Sequence, residues 1–78
     1  MDNFFPERFT ILLRHSKMSY EEVAHKLNLK SKGTISKYAN GKTKKIQISM
    51  VVKIAELFGV SPIWLLGFTE DMFYVIKK

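Results

Sequence analysis

The stretch SYEEVAHKLNLKSKGTISKYANGK, Ser19 to Lys42, decides how this chain folds. It opens on a capping box: the Ser19 hydroxyl can accept from the Glu22 backbone N–H while the Glu22 carboxylate reaches back. A helix therefore starts at Tyr20, with Val23, Ala24 and Leu27 on its inner face. Asn28 stands where that helix stops, because Asn tolerates the left-handed backbone better than most residues. Leu29 then drops back into the core. Ser31 caps another helix whose inner face is Ile35 and Tyr38, and Asn40-Gly41 ends it.

With Ile35 and Tyr38 buried, a rotation of about 100° per residue turns Lys32, Gly33, Ser36 and Lys37 to the opposite side. Lys30 to Lys45 carries six lysines and no acid. That run is thus a helix with a basic outer face and basic flanks, rather than a loose loop. Two cations, a hydroxyl and a residue without a side chain can approach another surface closely. A merely solvated face is the plain alternative, stronger for the loop residues Lys44 and Lys45 than for Lys32 and Lys37.

Working outward, a first helix is expected from Pro6 to His15 or Lys17. Pro6 would take the first helical position, where a missing N–H costs nothing. Phe5, Phe9, Leu12 and Leu13 form its inner face. A fourth helix begins between Gln47 and Ser49, with Gln47 a poor cap. It turns Val51, Ile54, Ala55 and Phe58 inward and stops at Gly59. A short fifth starts at Pro62 with Ser61 as its cap. The tail TEDMFYVIKK is apolar without a clear period, and only MFYVI suggests a short strand. The expected fold is all-α, five compact helices over residues 1–67, followed by a short apolar tail over 68–78.

Composition narrows the function. Seventy-eight residues make one small domain, and six Phe, three Tyr and one Trp supply enough apolar surface to exclude general disorder. No cysteine is present, so disulfides and thiolate metal sites are ruled out. MDNFFPERFT shows no basic leader before an apolar run, and MVVKIAELFGV is too short and too charged to span a bilayer. A soluble, cytoplasmic protein is expected. The net charge of +6 suits an anionic partner.

Residues Tyr20 to Lys42 resemble the helix-turn-helix of the phage repressor and Cro family, the XRE family, and VVKIAELFGVSPIWLLG resembles that family's fourth and fifth helices. The resemblance runs from about Phe9 to Gly67. It implies double-stranded DNA as partner, a homodimer, and a transcriptional regulator, usually a repressor, on a palindromic operator. Lys32, Gly33 and Lys37 match positions from which the family reads base edges, and Ser36 can reach base or phosphate. Lysine donates to guanine, which favours G·C pairs. Ser31, Asn40, Lys42, Lys44 and Lys45 are better placed for phosphates, and Tyr20 lies at the start of the second helix, where the family commonly touches the backbone.

This chain departs from the family pattern in its turn, with five residues between Leu29 and Ile35 where four are usual. It departs again at Ala39, a place often acidic and paired with an arginine of the first helix; that leaves Arg14 for another phosphate. The family includes phage regulators, restriction–modification controllers and autoregulating antitoxins.

No catalytic residue, cofactor, metal or small-molecule ligand is expected. His15 and His25 lie in separate helices, Glu21 and Glu22 diverge on one helix, and no glycine-rich phosphate loop follows a strand. Once Ile35 and Tyr38 are buried, no wide apolar face remains for a membrane surface. The different-class alternative is a protein-interaction module, such as an antitoxin. The apolar tail would serve it. Trp64, Leu65 and Leu66 read as core, with a small part of that surface open to a dimer interface. Met72, Phe73, Tyr74, Val75 and Ile76 either pack back over the first helix or build a subunit contact, the reading favoured here, and Phe68 joins them and Trp64 as the candidate dimer interface.

Overall fold

A computed structural model describes residues 4–43 and 45–74. Five helices follow in order: α1 Phe4–Ser16, α2 Tyr20–Lys26, α3 Lys32–Ala39, α4 Ile48–Phe58 and α5 Pro62–Leu65. No strand occurs among the described residues. The short strand expected in MFYVI is corrected there: Met72 and Phe73 form a turn, closed by Tyr74 N–H donating to Asp71 O at 3.1 Å. Val75 and Ile76 lie outside the described residues.

Local chemistry sets the helix ends. Glu22 N–H donates to Ser19 Oγ and Ser19 N–H to Glu22 Oε1, both at 3.1 Å, completing the capping box. Asn28 takes φ +60, and Leu29 N–H donates to Ala24 O at 2.8 Å. That bond brings Leu29 back against the core. The end of α3 repeats the device at Gly41, φ +72. There Lys42 N–H donates to Lys37 O at 2.9 Å and Gly41 N–H to Tyr38 O at 3.3 Å. Such paired bonds satisfy the orphan carbonyls of a helix end while turning the chain sharply. Gln47 makes no side-chain cap bond, as its chemistry suggested.

The start of α1 needs a correction, since the helix begins at Phe4 and not at Pro6. The first four N–H groups of any helix lack an intrahelical acceptor, so proline as third residue forfeits no bond. The earlier start also gives two rings partners. Phe5 stacks on Phe9 with centroids 5.5 Å apart, and the Arg8 guanidinium lies 5.1 Å from the Phe4 ring centre.

Phe9, Leu12 and Leu13 of α1 meet Val23, Ala24 and Leu27 around α2, and Ile35 of α3, in one core. Val51, Ile54 and Ala55 of α4 close it together with Trp64 and Leu65 of α5. Tyr38 is half-buried, edge-on to Phe5 at 6.1 Å and to Phe9 at 6.2 Å. Aromatic pairs of this kind contribute roughly 0.5–1.5 kcal/mol each beyond area burial. They fasten α3 to α1, while Ile35 packs with Val23, Ala24 and Leu27 in the core, so α3 is held from two sides.

Beyond α5 the chain turns back on the domain. The buried Arg8 donates from Nη1 to Trp64 O, and to Thr69 O at 2.8 Å. Its guanidinium lies 4.9 Å from the Trp64 ring centre. Ser61 N–H donates to Met72 O at 2.8 Å. Trp64, which reads as core with a small part of its surface open to a dimer contact, is only 5% exposed, and Met72 packs back against the core, one of the two courses open to the tail. Phe68, Phe73 and Tyr74 stay outside, with Phe68 79% and Phe73 65% exposed.

Candidate nucleic-acid interface

The outer face of α3 is built from its first residue onward. Ser31 Oγ accepts from Gly33 N–H at 3.0 Å, which fixes where the helix starts and how Lys32 and Gly33 are presented. A hydroxyl that accepts here still carries a hydrogen to donate elsewhere. Lys32, Gly33 and Lys37 are exposed and Ser36 is half-buried. Asn40 Nδ2 donates to Ser36 Oγ at 3.2 Å, joining a residue expected at base edges to one expected at phosphates.

The start of α2 lies beside this face. Ser19, Tyr20, Glu21, Lys32, Gly33 and Ser36 line one surface depression of about 480 Å³. Three of the four residues expected to read bases thus share a concavity with Tyr20, which is 40% exposed. Glu21 belongs to the same rim. In the sequence Glu21 reads only as half of a carboxylate pair, although its position next to Tyr20 is the available signal.

A second groove runs between α1 and the end of α3, lined by Pro6, Glu7, Thr10, Ile11, Arg14, Ala39, Asn40 and Gly41. Thr10 Oγ1 donates to Pro6 O at 2.8 Å and to Ala39 O at 3.3 Å, pinning α1 to the α3 terminus. Arg14 is exposed and shares this groove with Asn40. Lys42, held to α3 by its bond to Lys37 O, is exposed, and so is Lys45. Lys44 lies outside the described residues.

The electrostatics are one-sided. Among the described residues the single ion pair is Arg8 with Glu70, at 3.5 Å, so no described acid neutralises Lys32, Lys37, Lys42 or Lys45. Among those residues, too, no three His, Asp or Glu side chains come together as a metal site. No helix there is long and apolar enough to cross a membrane. Unpaired cations on a helix that carries few bulky side chains can lie against a polyanion at short range.

Residues 11–65, more than half of the chain, match the protein-family model described as Helix-turn-helix. No match was found among curated proteins or among solved structures.

Proposed function

Because the chain belongs to the helix-turn-helix family of repressor and Cro-like (XRE) proteins, we propose that it is a sequence-specific transcriptional regulator. It acts in the cytoplasm as a repressor, laying α3 in the major groove of a palindromic operator. Lys32, Gly33, Ser36 and Lys37 face the base edges. Tyr20, Ser31, Asn40, Lys42, Lys44 and Lys45 hold phosphates, with Arg14 added at the edge it shares with Asn40. Phosphate contacts of this kind orient the protein and supply affinity, while base contacts supply the choice of sequence.

One observation carries the reading. The exposed residues of α3 are Lys32, Gly33 and Lys37, and with the half-buried Ser36 they form a basic face with a residue lacking a side chain near its start. An α-helix fits the major groove with its N-terminal residues at the base edges. A single such domain reads few base pairs, so the proposed active form is a two-fold dimer reading half-sites about 34–36 Å apart. The exposed rings of Phe68, Phe73 and Tyr74 supply an apolar surface for that second copy.

Selection from random duplex DNA, at low and near-physiological salt, tests the proposal. A palindrome with half-sites one helical turn apart is the expected recovery. Weak enrichment without symmetry, vanishing as salt rises, would leave only a non-specific electrostatic footprint. The tail surface would then point to a protein partner of another kind.

A further inference from the structure

We infer that Asn40 is a site of covalent modification, losing its side-chain amide through attack by the Gly41 nitrogen, and that the resulting acid switches off DNA binding by α3. The effect on binding rests on α3 being the groove-reading helix; the chemistry at Asn40 does not.

Of the three asparagines, Asn3, Asn28 and Asn40, only Asn40 precedes a glycine, the residue that shields its own nitrogen least. The fold requires that glycine. Gly41 takes φ +72, and a Cβ there would lie 3.3 Å from Pro6 Cγ. Asn40 is exposed to water. The closed cap restrains the reaction, because Asn40 ψ is 0 and its Nδ2 donates to Ser36 Oγ at 3.2 Å. Yet the Gly41 N–H bond to Tyr38 O is long, at 3.3 Å, and helix ends open at low free energy. Opening of this last turn therefore gates the attack.

In the opened turn the Gly41 nitrogen gives its proton to hydroxide and bonds to Asn40 Cγ. The Cγ–Nδ2 bond breaks, and Nδ2 leaves as ammonia with a proton taken from water. Water then opens the cyclic imide at either carbonyl, giving aspartate or isoaspartate. Aspartate only accepts hydrogen bonds, so it draws the Ser36 hydrogen that would otherwise reach DNA. Its charge stands at the negative end of the α3 dipole and repels a phosphate held there. Isoaspartate lengthens the backbone inside the turn that Lys42 N–H closes on Lys37 O at 2.9 Å.

The folded chain is held at mildly alkaline pH, alone and with the duplex recovered by random selection, beside a sample unfolded in denaturant. Peptide mass spectrometry follows conversion of amide to acid at Asn40, with Asn28 as internal reference. Conversion should be fastest in the unfolded sample, slower in the folded chain and slowest with DNA, while Asn28 keeps its amide. Affinity of the aged free chain should fall in step with the acid. Asn40→Asp should bind about ten-fold more weakly than the fresh chain from the outset. Asn40→Gln, whose longer side chain closes a ring less readily, should lose no further affinity on ageing.

A folded chain that keeps the Asn40 amide while the unfolded sample converts would overturn the site. Acid at Asn40 with undiminished affinity, in the aged chain and in Asn40→Asp alike, would overturn the switch. Failure of the regulator reading shows separately, as a fresh chain that recovers no specific duplex. It would remove the switch, while the conversion at Asn40 still stands or falls by mass.

Discussion

Asn40 Nδ2 donates to Ser36 Oγ at 3.2 Å, one turn apart on the exposed side of α3. The bond occupies a lone pair on Ser36 and leaves its hydrogen available to a base or phosphate. Asn40→Ala and Ser36→Ala should each weaken operator binding, and the double variant should lose less than their sum. A coupling of about 0.5–1.5 kcal/mol is expected from a double-mutant cycle in binding titrations. Strict additivity would show that the two side chains act separately on DNA.

The lysines divide by location. Lys32→Ala and Lys37→Ala should each lower cognate affinity by about 1–3 kcal/mol and relax sequence preference at one base pair. Lys42→Ala and Lys45→Ala should weaken cognate and unrelated DNA alike, each reducing the salt-dependence slope by about one. Titrations at several salt concentrations, on cognate and scrambled duplexes, separate the two patterns.

Arg8 holds the chain after α5 through main-chain carbonyls rather than through its ion pair. It donates to Trp64 O and Thr69 O, whereas its partner Glu70 has a side chain 93% exposed. Glu70→Gln should therefore shift stability by less than about 1 kcal/mol. Arg8→Ala should destabilise by about 2–4 kcal/mol, since it removes two hydrogen bonds that tie the chain after α5 to α1 and a guanidinium packed against two rings. Denaturant unfolding of both variants distinguishes this account from one in which the Arg8–Glu70 charge pair dominates.

Two glycines give a paired prediction. Gly59 has φ +70 and open space around an added Cβ, whereas Gly67 has φ +87 and an added Cβ would fall 2.4 Å from the Phe4 ring. Gly59→Ala should cost only the left-handed backbone penalty, about 1–2 kcal/mol. Gly67→Ala should be the more destabilising, because the Phe4 ring beside it must also move. Thermal unfolding that ranked the two in the opposite order would contradict the close packing of α5 on α1.

Much of the fold was legible because its signals are local. Ser19 with Glu22, Asn28 before Leu29, Ser31, and Ser61 before Pro62 each act within a few residues, and each marks a helix end where its chemistry requires one. The outer face of α3 was legible for a related reason. Once Ile35 and Tyr38 point inward, helix geometry leaves the remaining directions to Lys32, Gly33, Ser36 and Lys37.

What escaped depends on contacts between distant residues. Arg8 reads as a surface charge until the carbonyls of residues 64 and 69 are brought to it. The hook that returns Met72 to Ser61 rests on a main-chain bond that no side-chain pattern encodes. Pro6 misled for a simpler reason: proline suits several positions of a first turn, and only the packing of Phe4 and Phe5 tells them apart.

The most direct test of the central claim is a change of specificity at α3. Lysine reads guanine, while glutamine pairs with the N6 and N7 edge of adenine. Random-duplex selection should be run in parallel with the unaltered chain, Lys32→Gln and Lys37→Gln. Each variant is expected to recover the same palindrome changed at one pair per half-site, from G·C to A·T. Recovery of one unchanged consensus by all three proteins, differing only in affinity, would contradict base reading by this face and reduce its lysines to phosphate contacts.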